Sequence, residues 1–149
     1  DSAQKLNSTA ALLDLTCVDL PLFNPRKNKN KEVDLILESL TMEMQSTPRW
    51  IICAPEYNGS IPPVFTNTIA WLSIQENDFR QLFNGRPIAM ASFSGGGCME
   101  LLLSLRIQLT HLGAQVVGRQ LSSNKNKPAN NKSIEDLIIR LMQMQPLKL

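Results

Sequence analysis

Two short stretches of this chain hold residue types suited to meeting a ligand with exposed backbone. The first is Pro55-Glu56-Tyr57-Asn58-Gly59-Ser60. Asn and Gly accept positive φ and turn the backbone tightly, which can leave neighbouring N–H groups free as donors. The second is Ser94-Gly95-Gly96-Gly97. Glycines let a backbone approach a ligand closely, and a helix N-terminus behind them favours anions. Taken alone, each stretch reads better as a plain turn. His111 is the single histidine. It falls in a last helical turn before Leu112-Gly113, where a cation complements the helix dipole, and no recognisable Ser or Asp motif partners it. Cys17, Cys53 and Cys98 are odd in number and far apart. They suggest neither a disulfide framework nor a metal site, and point to a reducing compartment. Cys53 is expected to be inert packing in a core strand, while Cys98, beside the glycines, is a weak candidate for thiol chemistry.

The elements around these stretches read as alternating strands and helices. Trp50-Ile51-Ile52-Cys53-Ala54 is a short apolar run suited to a strand covered on both faces of a parallel sheet. Pro62-Pro63 forbids helix through the loop but suits a helix start, and Phe65, Ile69 and Leu72 then follow at i, i+4 and i+7. Upstream, Thr9 to Leu15 predicts a short strand. Asp19 to Pro25 cannot be helix interior, and Arg26 to Lys31 reads as a solvated basic loop. Val33, Ile36, Leu37, Leu40 and Met44 mark a helix over Glu32 to Gln45, stopped by Thr47-Pro48. Asn77 to Gly85 is a polar connector, and Arg86 to Ser92 the next buried strand. A helix from about Met99 carries Leu101, Leu105, Leu109 and Leu112, with Gly113 as its C-terminal stop. Ala114 to Leu121 predicts a further strand. A closing helix takes Ser133 as N-cap, with Asp136 in its first turn. Four strands alternating with four helices imply an α/β fold, a parallel sheet with helices on both faces, and ligands at the carboxyl ends of the strands.

Ala54-Pro55-Glu56-Tyr57-Asn58-Gly59-Ser60-Ile61-Pro62, followed by Asn67-Thr68-Ile69-Ala70-Trp71-Leu72-Ser73, resembles the signature of the NAD(P)H-dependent FMN reductases. These are flavodoxin-like quinone, azo-compound and chromate reductases. The helix keeps the family frame but has Thr66 and Ala70 where Lys and Asp are usual, which touches the dimer contacts more than the loop. The resemblance covers about Leu12 to Leu141. It implies a flavodoxin-like three-layer sandwich with strand order 2-1-3-4-5, in which this chain begins near strand two. The first βα unit, with its phosphate-binding loop, is expected to be missing. Thr9 to Leu15 and Trp50 to Ala54 are therefore expected not to face each other across an empty slot. Another segment or chain should fill the place, or Thr9 to Leu15 should shift over to pair.

The resemblance also implies an enzyme that passes hydride from NADPH or NADH through bound FMN to a flavin, quinone or similar small-molecule acceptor. Pro55, Glu56, Tyr57, Asn58, Gly59 and Ser60 would then lie along the flavin ring. Ser94, Gly95, Gly96 and Gly97 would border its other edge. No residue is assigned to the FMN phosphate, to acid–base catalysis or to a metal. The alternative is a flavodoxin-like domain that has lost its cofactor and serves as a structural or interaction subunit. At 149 residues one domain over 1–149 is expected, large enough to bury roughly two thirds of its unfolded surface. A net charge of +2 gives no case for nucleic acid or an anionic membrane, and no apolar run approaches spanning length. A cytoplasmic homodimer or homotetramer is the expected setting.

Overall fold

The computed structural model describes residues 2–27, 29–75 and 78–148. Among these residues five helices and four strand segments follow one another as α1 Ser2–Lys5, α2 Lys31–Gln45, β1 Trp50–Cys53, α3 Pro63–Leu72, β2 Pro87–Phe93, α4 Met99–His111, β3 Gln115–Val116, β4 Leu121–Ser123 and α5 Asn131–Gln143. All strand pairing in the sheet is parallel, with β2 in the middle. β1 lies on one edge of β2, with Trp50 opposite Ile88 and Cys53 opposite Ala91. β3 and β4 share its other edge.

Alternation along β2 divides the core. Ile88 and Met90 point into one buried cluster with Val33, Leu37 and Leu40 of α2, Phe65 and Leu72 of α3, and Leu102, Leu105 and Leu109 of α4. Ala89 points the other way, to Val117 and to Leu137 and Leu141 of α5. The period-2 direction of a strand and the 3.6 period of the helices therefore meet in three layers, with the sheet between. The predicted stripe of α4 is buried throughout, including Leu101, Leu105, Leu109 and Leu112. Gly113 ends α4 at φ +88, and a Cβ there would run into Asn84 Oδ1.

Four local expectations are corrected. Thr9 to Leu15 is not a strand. It runs without regular structure into a 3₁₀ turn, Leu15–Cys17, whose cap Asp14 accepts from the Thr16 N–H. Leu12 is 89% exposed. A strand needs a neighbour for its ladder, and this segment neither joins nor shifts to β1. Among the described residues no strand pairs with the second edge of β1. Second, β1 is not covered on both faces. Trp50 and Ile52 pack on the core while Ile51 is 41% exposed and Cys53 is exposed, so Cys53 is not core packing.

Third, the strand expected over Ala114 to Leu121 is interrupted. Val117 to Gln120, four residues, stand opposite Ala89 and Met90, so the chain bulges away from β2 and rejoins it at Leu121. Fourth, α5 is capped by Asn130, whose side chain accepts from the Ser133 N–H at 2.9 Å. Ser133 lies inside the first turn instead, and Asp136 pairs with Arg119 and Arg140. Asn is as good a cap as Ser, so composition alone did not separate these positions. Of the connector over Asn77 to Gly85, Asn77 lies outside the described residues. The rest holds a 3₁₀ turn, Phe79–Leu82, with Leu82 and Phe83 buried.

Candidate functional site

β1 and β2 are parallel neighbours, so the loops that leave their carboxyl ends lie side by side. The first is Pro55 to Ser60. Tyr57 and Ser60 exchange backbone hydrogen bonds at 3.1 and 2.9 Å, which closes a tight turn on Asn58 and Gly59. Both central residues have positive φ, +49 at Asn58 and +69 at Gly59. That is the type I′ geometry for which Asn-Gly is the favoured pair. The turn uses the Tyr57 N–H internally. The N–H groups of Asn58 and Gly59 have no acceptor among the described residues. Tyr57, the residue before them, is 56% exposed.

Glu56 behaves differently from the rest of its loop. It is half-buried where its neighbours are exposed, and its carboxylate accepts from the Leu101 N–H of α4 at 3.3 Å. Its other carboxylate oxygen lies 3.5 Å from where a Cβ on Gly96 would stand. Gly59 lies against Glu100 in the same way, with a Cβ there 3.8 Å from the Glu100 Cβ. The two predicted loops are thus in contact and form one continuous rim.

The second loop follows Phe93, whose side chain is 55% exposed at the end of β2. The Ser94 N–H donates to Ser123 O at 3.1 Å, and the Gly96 N–H to Ser94 Oγ at 3.2 Å. No atom comes within 4 Å of a Cβ built on Gly95, so that stretch opens to solvent. Cys98 then takes φ +61 and is fully buried, its thiol donating to Ser123 O at 3.6 Å. Fully buried and bonded to a backbone carbonyl, it is a packing and turn residue. Sequence reasoning did not find the third member of the rim, the loop after β4. There Asn124 folds a turn over Lys127 and reaches Gly96 O at 3.5 Å. The polar run after a strand was visible in the sequence, but not its neighbour.

The motif helix α3 acts at a distance from this rim. Asn67 Oδ1 accepts from the Phe23 N–H at 2.7 Å, and its amide donates to Pro21 O. Trp71 Nε1 donates to the same oxygen at 2.7 Å, and its ring meets Phe23 edge-on at 5.2 Å. One turn apart on one face, Asn67 and Trp71 fasten the Pro21 to Phe23 segment to the core. His111 ends α4 on the surface, in keeping with its expected place in the last helical turn. No group of His, Cys, Asp and Glu able to hold a metal ion occurs among the described residues. Nor is any described helix long and apolar enough to cross a membrane.

The sequence model of the family described as NADPH-dependent FMN reductase matches residues 1–127. The quinone reductase of Escherichia coli (strain K12) is 28% identical over 103 residues, 68% of this chain and 53% of that protein. The chain thus spans about half the length of the curated relatives it matches. Among solved structures, FerB, a flavoenzyme NAD(P)H:(acceptor) oxidoreductase from Paracoccus denitrificans, superposes with a TM-score of 0.67 at 20% identity, over 96% of this chain and 83% of that one. An oxidoreductase from Corynebacterium diphtheriae gives a TM-score of 0.55 at 17% identity, over 78% and 63%. At such identities these two structures speak to the fold, which is flavodoxin-like.

Proposed function

Because this chain belongs to the NADPH-dependent FMN reductase family, we propose that it is an FMN-dependent NAD(P)H oxidoreductase acting on a quinone, flavin or similar small acceptor. The observation that carries this is the Asn58-Gly59 turn at the carboxyl end of β1, with two N–H groups that have no acceptor among the described residues. In an open parallel sheet ligands sit at that end. These donors fit the ring carbonyls and ring nitrogen of a flavin. They do not form a cradle for its phosphate, to which no residue is assigned here.

Bound FMN would supply the hydride chemistry. The chain's own contribution is to hold and orient. Asn58 and Gly59 would donate to the ring edge, with Pro55, Tyr57 and Ser60 bordering it. Ser94, Gly95, Gly96 and Gly97 would lie at the other edge, where the open backbone at Gly95 admits a flat ligand. No side chain is asked to move a proton. The same reading takes the chain as a single domain in a cytoplasmic homodimer or homotetramer. On α4 an exposed row, Met99, Leu103 and Ile107, favours self-association over a lone subunit.

The test is titration of the purified protein with FMN and, separately, with riboflavin, followed by NADPH and NADH oxidation with a quinone. Micromolar FMN binding and acceptor-dependent oxidation are expected. A protein that binds neither flavin at micromolar concentration would overturn the reading in favour of a cofactor-free interaction subunit.

A further inference from the structure

Helix α4 starts without a cap of its own. The residue at its N-cap, Cys98, is left-handed at φ +61 and makes no side-chain cap hydrogen bond. A helix begins with N–H groups that have no partner inside the helix, and a nearby oxygen normally satisfies one of them. Here that oxygen comes from Glu56, 45 residues earlier, through the 3.3 Å bond from the Leu101 N–H. Leu101 is the third residue of α4, a position a local cap would serve. A carboxylate there also complements the positive end of the helix.

We propose that Glu56 is a positioning residue that caps α4 from the first loop and so fixes the two loops as one rim. This rests on the proposed function in one respect only: the rim is where FMN would lie. Glu56 is turned to α4 and is not a flavin contact, although it belongs to the loop that would hold the ring. The α4 N-terminus, which the sequence offered as an anion site, already has an anion of the protein's own. Glu56 also joins segments that the chain keeps far apart. Its backbone belongs to the loop of β1, one carboxylate oxygen holds α4, and the other lies beside Gly96 of the loop of β2. Losing that carboxylate frees both the helix start and the spacing of the rim, without touching Asn58, Gly59 or Gly95.

The experiment compares Glu56→Ala, Glu56→Asp and Glu56→Gln with the parent by two readouts. One is hydrogen exchange at the Leu101 amide of the flavin-free protein. The other is FMN affinity. Alanine has no acceptor, and aspartate is one methylene too short. In both, exchange at Leu101 should quicken and FMN affinity should fall, each about tenfold, the scale of a lost helix cap. Glutamine keeps the oxygen and loses only the charge, so it should stay within about threefold of the parent. Rescue by glutamine separates positioning from a charge that acts on the ligand. If Glu56→Gln is as weak as Glu56→Ala, or if Glu56→Ala leaves either readout unchanged, the proposal is wrong. If the parent itself binds no FMN, the proposed function falls. Leu101 exchange then decides the cap alone: faster in Glu56→Ala and restored in Glu56→Gln supports it, and no change overturns it.

Discussion

Gly59 and Cys53 show how different physics governs single residues of the same strand and loop. At Gly59 the space is ample, since a Cβ would meet only Glu100 atoms at 3.8 and 3.9 Å, an ordinary contact. The backbone is the obstacle, because φ +69 suits glycine and asparagine and strains a β-branched residue. Gly59→Val should therefore cost about 1–3 kcal/mol in denaturant unfolding, while Gly59→Asn should cost less. If the turn holds FMN, the valine variant should lose more affinity than its loss of apo stability accounts for. Equal affinity in variant and parent would remove this turn from the site. Cys53 is open to reagents, yet the surrounding protein still desolvates its thiolate and raises its pKa above the ordinary thiol value. Its alkylation rate should keep climbing at pH values where an unperturbed thiol has levelled off. Mass spectrometry of iodoacetamide labelling across pH would check this, and a plateau at the ordinary thiol value would contradict it.

Among the elements, α5 and α3 carry the clearest consequences. Asp136 is held below the usual carboxylate range, first by its hydrogen bond from Arg140 and then by the nearby charges of Arg140 and Arg119. A carboxyl whose folded pKa is depressed stabilises the fold above its unfolded value, near 3.9, and that support is lost as pH falls through the lower folded value. Asp136→Asn should lower the melting temperature at neutral pH, only slightly because both partners are solvent-exposed, and the gap from the parent should close as pH falls through the acid limb. On α3, Asn67→Ala would strip the acceptor from the Phe23 N–H. The loss should be about 1–3 kcal/mol, read by chemical denaturation, with faster proteolysis around Pro21. An unchanged midpoint would show that Trp71 alone fastens the segment.

For the molecule, the sheet is the common wall of both buried clusters, with Ile88 and Met90 on one side and Ala89 on the other. Neither cluster can lose its helices without exposing its own face of β2, the strand that both clusters share. Residues 1–149 should thus unfold as one unit, with far-ultraviolet circular dichroism and Trp50 and Trp71 fluorescence giving coincident transitions. Separate transitions would mean that α5 and its cluster form a unit of their own.

Periodicity and turn chemistry were legible from the sequence because they are local. The stripes of α2 and α4, the start of α3 at Pro63, the Asn58-Gly59 turn and the stop at Gly113 each depend on residues a few positions apart. The signature around Pro55 to Ser60 likewise gave the family and the flavodoxin-like class. Pairing was not legible. Thr9 to Leu15 has strand-like composition, but a strand exists only where a ladder partner stands beside it. The bulge at Val117 to Gln120 arises from register against β2, and the exposure of Cys53 from what covers β1. Glu56 marks the boundary most clearly. Its loop was evident from six consecutive residues, while the direction of its carboxylate was set by α4, which the chain brings alongside only when the parallel sheet has formed.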